Sequence, residues 1–180
     1  MNSPTSPCHI HRPAKPGIVG FVFICPGSKE VLGGGPVRGV TGDNLDAGLA
    51  ILNRKRPDIF PNATRDGYLI TNACTNPLHR NKKVTDAGDK TIPGVLAVLT
   101  KPNIERLRDE IANVKVVIAC GEEAHVAVKA CKEFFGLVAC VVNVNHTSNN
   151  GLGRPRSGCK DAAIERWVAR VLRQLPEALT

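Results

Sequence analysis

Four short segments gather the side chains able to do chemistry, and each closes an apolar run. Asn145-His146-Thr147-Ser148-Asn149-Asn150 follows Leu137 to Val144. A histidine there can donate a hydrogen bond to an oxygen that gains negative charge, although a histidine at a strand end is also often structural. Arg154 and Arg156 come soon after and could hold phosphates. Asn72-Ala73-Cys74-Thr75-Asn76 closes the run Tyr68 to Cys74. An amide carries a donor and an acceptor, so Asn72 can pair with the adjacent N–H and C=O of a pyrimidine edge, or it can cap the turn that follows. Cys25-Pro26-Gly27-Ser28-Lys29-Glu30 leads into a glycine-dense loop, Gly33 to Gly42. Its backbone N–H groups can approach a ligand closely and form an anion nest. No Gly-Lys-Ser/Thr follows at Walker spacing, and the loop is too long for a dinucleotide fingerprint; a flexible surface loop is the plain alternative. The remaining segment, Gly121-Glu122-Glu123, is the least equipped.

The elements that must position these segments are readable. Gly17 to Cys25, Tyr68 to Cys74, Val114 to Cys120 and Leu137 to Val144 are short apolar runs bounded by turn residues, as interior strands of a parallel sheet are. Gly94 to Leu99 is ambiguous between strand and helix. Helical stripes fall on Leu45, Leu49 and Leu52 after Asp43 as a cap, and on Ile104, Leu107 and Ile111. Two more fall on Ala124, Ala127, Val128, Cys131, Phe134 and Phe135, and on Ile164, Trp167, Val168, Val171, Leu172 and Leu175. Strands alternating with helices predict one α/β domain, a mainly parallel sheet covered on both faces. In such folds ligands sit beyond the carboxyl ends of the strands, where these segments lie.

Composition narrows the class. The chain has 180 residues, one ordinary domain. The proline-broken stretch 1–16 reads as a disordered or extended lead-in, leaving the domain at 17–180. It lacks the apolar centre of a secretory signal, and no run reaches the roughly 20 apolar residues of a membrane span. The expectation is a cytoplasmic protein without a membrane partner. The 7 cysteines include no C-x-x-C pair and read as reduced, buried or half-buried thiols. Cys8, His9 and His11 could hold a metal, but an incidental grouping in a proline-rich tail is the simpler reading. A formal net charge of +8 favours a polyanionic partner.

The ordered segments resemble the uracil-DNA glycosylase superfamily. ICPGSKE stands for its first motif, GGPVRGVTGDNLDAGL for the glycine loop leading into a helix, YLITNAC for the strand ending in a base-recognising Asn, VVIACGEEAHVAV for the third strand and helix, and His146-Thr147-Ser148 for the last motif. The resemblance spans roughly Ile18 to Trp167. It implies a three-layer α/β/α sandwich and hydrolysis of the bond joining uracil, or a related deaminated base, to deoxyribose in DNA, with free uracil and an abasic site as products. The base must first be flipped out of the stack. By the same resemblance His146 stabilises the departing base and Asn72 reads it, with Ile24, Cys25 and Gly27 at the base. Ser28, Lys29, Arg38, Ser148, Leu152 as a wedge, and Arg154 then meet DNA.

The departures matter as much. Most members place an acid or amide one or two residues before Pro-Gly to direct water; Ile24 and Cys25 stand there, and Glu30 is the nearest acid, in competition with a plain loop carboxylate. The iron–sulfur branch stacks an aromatic on the base where Val37 stands, so stacking must come from elsewhere, with Phe23 and Phe60 as candidates. That branch's cysteine pattern is missing, and no cofactor or metal is expected. The expected protein is a monomer. A non-catalytic DNA-binding protein, and an unrelated nucleotide- or phosphate-binding α/β domain, are the competing readings.

Overall fold

The computed structural model describes residues 8–15, 17–76, 98–153 and 159–177. The central runs form β2 (Val19–Phe23), β3 (Leu69–Asn72), β4 (Val116–Cys120) and β5 (Cys140–Val144), all mutually parallel. A short strand β1 (Ile10–His11) adds to β3 antiparallel, giving the order β1-β3-β2-β4-β5. Helices α1 (Ser28–Gly33), α2 (Val40–Lys55), α3 (Lys101–Ile111), α4 (Glu122–Phe135) and α5 (Lys160–Gln174), with one 3-10 turn at Arg65–Gly67, complete the described elements.

The two faces of the sheet are covered by different pairs of helices, so the α/β expectation is met. Alternate side chains Phe21, Phe23, Ile70, Ile118 and Val142 join Leu45 and Leu49 of α2 and Trp167 and Val171 of α5. On the other face Val22, Leu69, Val117 and Ala119 join Ile104 and Leu107 of α3 and Ala127 and Cys131 of α4. Buried on both sides, β2 and β4 are apolar without alternation. β5, at the sheet edge, alternates.

Four details differ from the sequence expectation. Ile10 and His11 pair with Thr71 and Ile70, so the domain begins inside the stretch read as a lead-in. The exit after β2 turns into α1, because Glu30 reaches back to the N–H of Gly27. α2 starts at Val40, and Asp43 lies in its first turn rather than at its cap, which is Gly39. Phe134, assigned to a buried stripe, is 74% exposed, since α4 ends at Phe135 and turns that position outward. The ambiguous run 94–99 lies outside the described residues as far as 97.

The chain leaves β2 to one side for β3 and crosses to the other side for β4. This reversal marks the place where an open α/β sheet usually has its ligand crevice, between the carboxyl ends of β2 and β4.

Candidate functional site

Three exits meet at that place. Phe23 ends β2, and the ring of His146, two residues past β5, stands edge-on to it with centroids 5.2 Å apart. Gly121, just past β4, has φ of +109°, a conformation that favours glycine, and an added Cβ would lie 3.1 Å from Ile24 and 4.0 Å from His146. The β2 and β3 exits stay joined beyond the ladder, with the N–H of Ala73 donating to the Phe23 carbonyl at 2.7 Å and that of Cys74 to Ile24 at 2.9 Å.

The state of His146 follows from its neighbours. The backbone N–H of Ser148 donates to Nδ1 at 3.1 Å, so Nδ1 must carry a lone pair and the proton of the neutral ring sits on Nε2. Burial lowers the ring's pKa to about 4, which keeps it neutral near pH 7. Among the described residues Nε2 has no hydrogen-bond partner. The side chain is thus a fixed, neutral N–H donor.

The loop carrying it is clamped from two helices. Asn44 of α2, buried, donates through Nδ2 to the Thr147 carbonyl at 2.7 Å, and Thr147 Oγ1 donates to the Thr41 carbonyl at 3.1 Å. From α5, Trp167 Nε1 donates to the Asn145 carbonyl at 3.0 Å and Arg170 to Asn145 Oδ1 at 2.7 Å. The loop closes so tightly that a Cβ on Gly151 would overlap the His146 carbonyl oxygen. Sequence reading missed Asn44, whose signal was an amide next to the apolar stripe of α2, and gave Trp167 only a packing role.

Asn72 is buried at the end of β3, opposite Phe23, and its parity puts it on the side of Ile70 and α2. Its Nδ2 donates to the His9 carbonyl at 3.3 Å. Arg106 of α3 donates to the Asn72 and Ala73 carbonyls at 3.0 and 3.2 Å, and pairs with Glu110. Glu110 also accepts hydrogen bonds from Thr71 Oγ1 and His9 Nε2. Burial raises the Glu110 pKa, but His9, Thr71 and the Arg106 guanidinium outweigh it, leaving the carboxyl below its ordinary value. Arg106 and Glu110 gave no sequence signal, because an i,i+4 pair usually lies on a solvated face.

The other expected residues divide. Lys29 lies over Gly39, and Arg38 folds back over Gly33 and Gly35, so two exposed cations border the glycine loop and the start of α2. Within that loop Val37 is buried at φ of +57°, a strained conformation for a β-branched residue. Ile24 and Cys25 are half-buried at the mouth, and Ser28 opens α1. Ser148 is spent on the loop, its Oγ accepting the Gly151 N–H at 3.2 Å. Glu30 is also occupied: its Oε2 accepts the Gly27 N–H at 2.7 Å.

Two assignments are corrected. Neither candidate for the stacking aromatic can face a bound base: Phe60 has no exposed surface and packs beside Tyr68, which precedes β3 at the opposite end of the strand from Asn72, and Phe23 is buried in the same core. Leu152 packs against the core and lines a small cleft with Trp167 and Arg166; it is no wedge in this conformation. Arg154 lies outside the described residues. Among the described residues no three His, Cys, Asp or Glu side chains converge to hold a metal. Of the N-terminal group, His9 turns to Glu110 and His11 to the Asp66 carbonyl.

Fold and site together define an open, mainly parallel α/β domain with His146 and Asn72 at the carboxyl ends of its strands, beside the topological switch point. No family model and no curated protein matches the chain.

Proposed function

We propose that the chain is a monofunctional DNA glycosylase that flips uracil, or a related deaminated base, out of DNA and hydrolyses its N-glycosidic bond. The observation that carries this reading is His146, a neutral ring with its N–H on Nε2, set beside Phe23 at the switch point. Breaking the bond leaves positive charge on the sugar and negative charge on the departing base. A preorganised neutral donor stabilises that base oxygen without first giving up a proton, an effect of about 2.7–4 kcal/mol. Asn72 reads the pyrimidine edge, and Phe23, buried in the core, backs the His146 ring from behind. Lys29 and Arg38, with the net charge of +8, favour the phosphate backbone. The order of motifs, similar to that of the uracil-DNA glycosylase superfamily, supports the same conclusion. The partner is uracil-containing DNA, and the products are free uracil and an abasic site; a monomer acting in the cytoplasm suits the reading.

Ile24 and Cys25 offer no carboxylate to direct water, and Glu30 is held as a cap. The mechanism therefore rests chiefly on stabilising the leaving group. The same features favour a second reading, a non-catalytic DNA- or nucleotide-binding domain. A labelled duplex with a single uracil, incubated with the protein and treated with alkali, separates the two. Strand scission is expected, with binding that weakens steeply as salt rises. Absence of scission together with uracil-independent binding would refute the glycosylase reading in favour of the second.

A further inference from the structure

Asn72 is held from behind by groups that the glycosylase reading does not use. The His9 carbonyl can only accept, so the atom of the Asn72 amide facing it at 3.3 Å must be Nδ2. That fixes the amide against rotation by 180° about its last bond, a rotation that would set two acceptors against each other. The oxygen and the second N–H make no hydrogen bond to the described residues, and the glycosylase reading assigns them to the base.

The strap that supplies the carbonyl is itself anchored. His9 Nε2 donates to Glu110 Oε1 at 3.2 Å, and Ile10 pairs with Thr71. Glu110 holds Arg106, whose guanidinium fixes the main chain of Asn72 and Ala73. One carboxylate on α3 therefore ties together the strap that orients the Asn72 side chain and the cation that orients its backbone.

We propose that His9, Glu110 and Arg106 are positioning residues that lock the Asn72 amide in one orientation and so select the base. Resting on the glycosylase reading, this assigns the site to an edge with N–H beside C=O, as in uracil. The amide oxygen accepts from the ring N–H, and the remaining amide N–H donates to the carbonyl. Cytosine presents a bare nitrogen beside an amino group and would need the rotated amide.

The test uses the whole chain with His9→Ala, His9→Gln and Arg106→Lys, the last keeping charge opposite Glu110. Single-turnover rates are measured on single strands carrying one uracil or one cytosine. The Asn72 side-chain amide signals are followed by NMR in the free protein, assigned with Asn72→Asp. Loosening the lock should lower the uracil rate about tenfold and raise cytosine cleavage above the wild-type level, because both orientations become accessible. The amide signals should shift or broaden, and His9→Gln, which restores a donor to Glu110, should recover the wild-type pattern. A merely structural defect lowers both rates together, so cytosine cleavage at or below the wild-type level overturns the proposal, as do unmoved amide signals. A wild-type chain inert on uracil would instead refute the glycosylase reading itself, and the amide signals would then decide whether the lock exists.

Discussion

Replacing His146 by Asn isolates what its burial does. Asn can keep an acceptor where Nδ1 receives the Ser148 N–H, but it neither titrates nor offers the Nε2–H. Burial lowers the folded-state pKa of His146 to about 4, whereas the unfolded chain titrates near about 6.5. Between these values the unfolded state binds more protons, so stability rises with pH across that window and is lost on acidification. From pH 7.5 to pH 5 the loss amounts to about 2 kcal/mol, and water reaching the half-buried ring makes this the upper end. Urea denaturation of both proteins at the two pH values gives a double difference in which other titrating groups cancel. The wild type should fall by about 1–2 kcal/mol more than His146→Asn, at similar m-values. Equal falls, within about 0.3 kcal/mol, would show that the ring titrates normally and would refute the neutral, fixed donor. The same variant should lose about a hundredfold to a thousandfold in scission rate through loss of the Nε2 donor.

The clamp and the caps give further expectations. Asn44→Ala strands the Thr147 carbonyl but also removes an Oδ1 that has no partner among the described residues, so the expected net loss is about 1–2 kcal/mol by denaturant midpoint; an unchanged midpoint would show that the clamp contributes nothing. Gly151→Ala drives a Cβ into the His146 carbonyl, so the loop must shift, with a loss of about 1–3 kcal/mol. In that variant an NMR titration should show the His146 pKa moving up toward its ordinary value as the ring is released; an unmoved value would mean that the loop tolerates the methyl group. Glu30→Gln keeps a hydrogen-bonding cap and should cost no more than about 1 kcal/mol while scission persists. A rate loss of about a hundredfold would instead assign Glu30 the attacking water.

Much of the framework was legible because it depends on local pattern. Val116 to Cys120 is apolar at every position, and a strand covered on both faces needs to be. The stripe through Ile164, Trp167, Val168 and Val171 has the helical period and faces the core. Once strands and helices alternate, the exits carrying Asn72 and His146 must share one end of the sheet. The same pattern could not tell an exposed Phe60 from one with no accessible surface, or a projecting Leu152 from one packed on the core.

The sequence by itself therefore determined the layers and the exits from which chemistry can be done, while the strand order that sets the switch point came from the fold. Tertiary structure decided the state of the groups that stand there. His146 is neutral because the fold buries it and Ser148 turns its N–H onto Nδ1. Its loop is held by Asn44 across 103 residues of chain, and Asn72 by His9 across 63 and Arg106 across 34. Periodicity records which side of an element is apolar. A hydrogen-bond partner far along the chain leaves no periodic trace, and only folding brings donor and acceptor together.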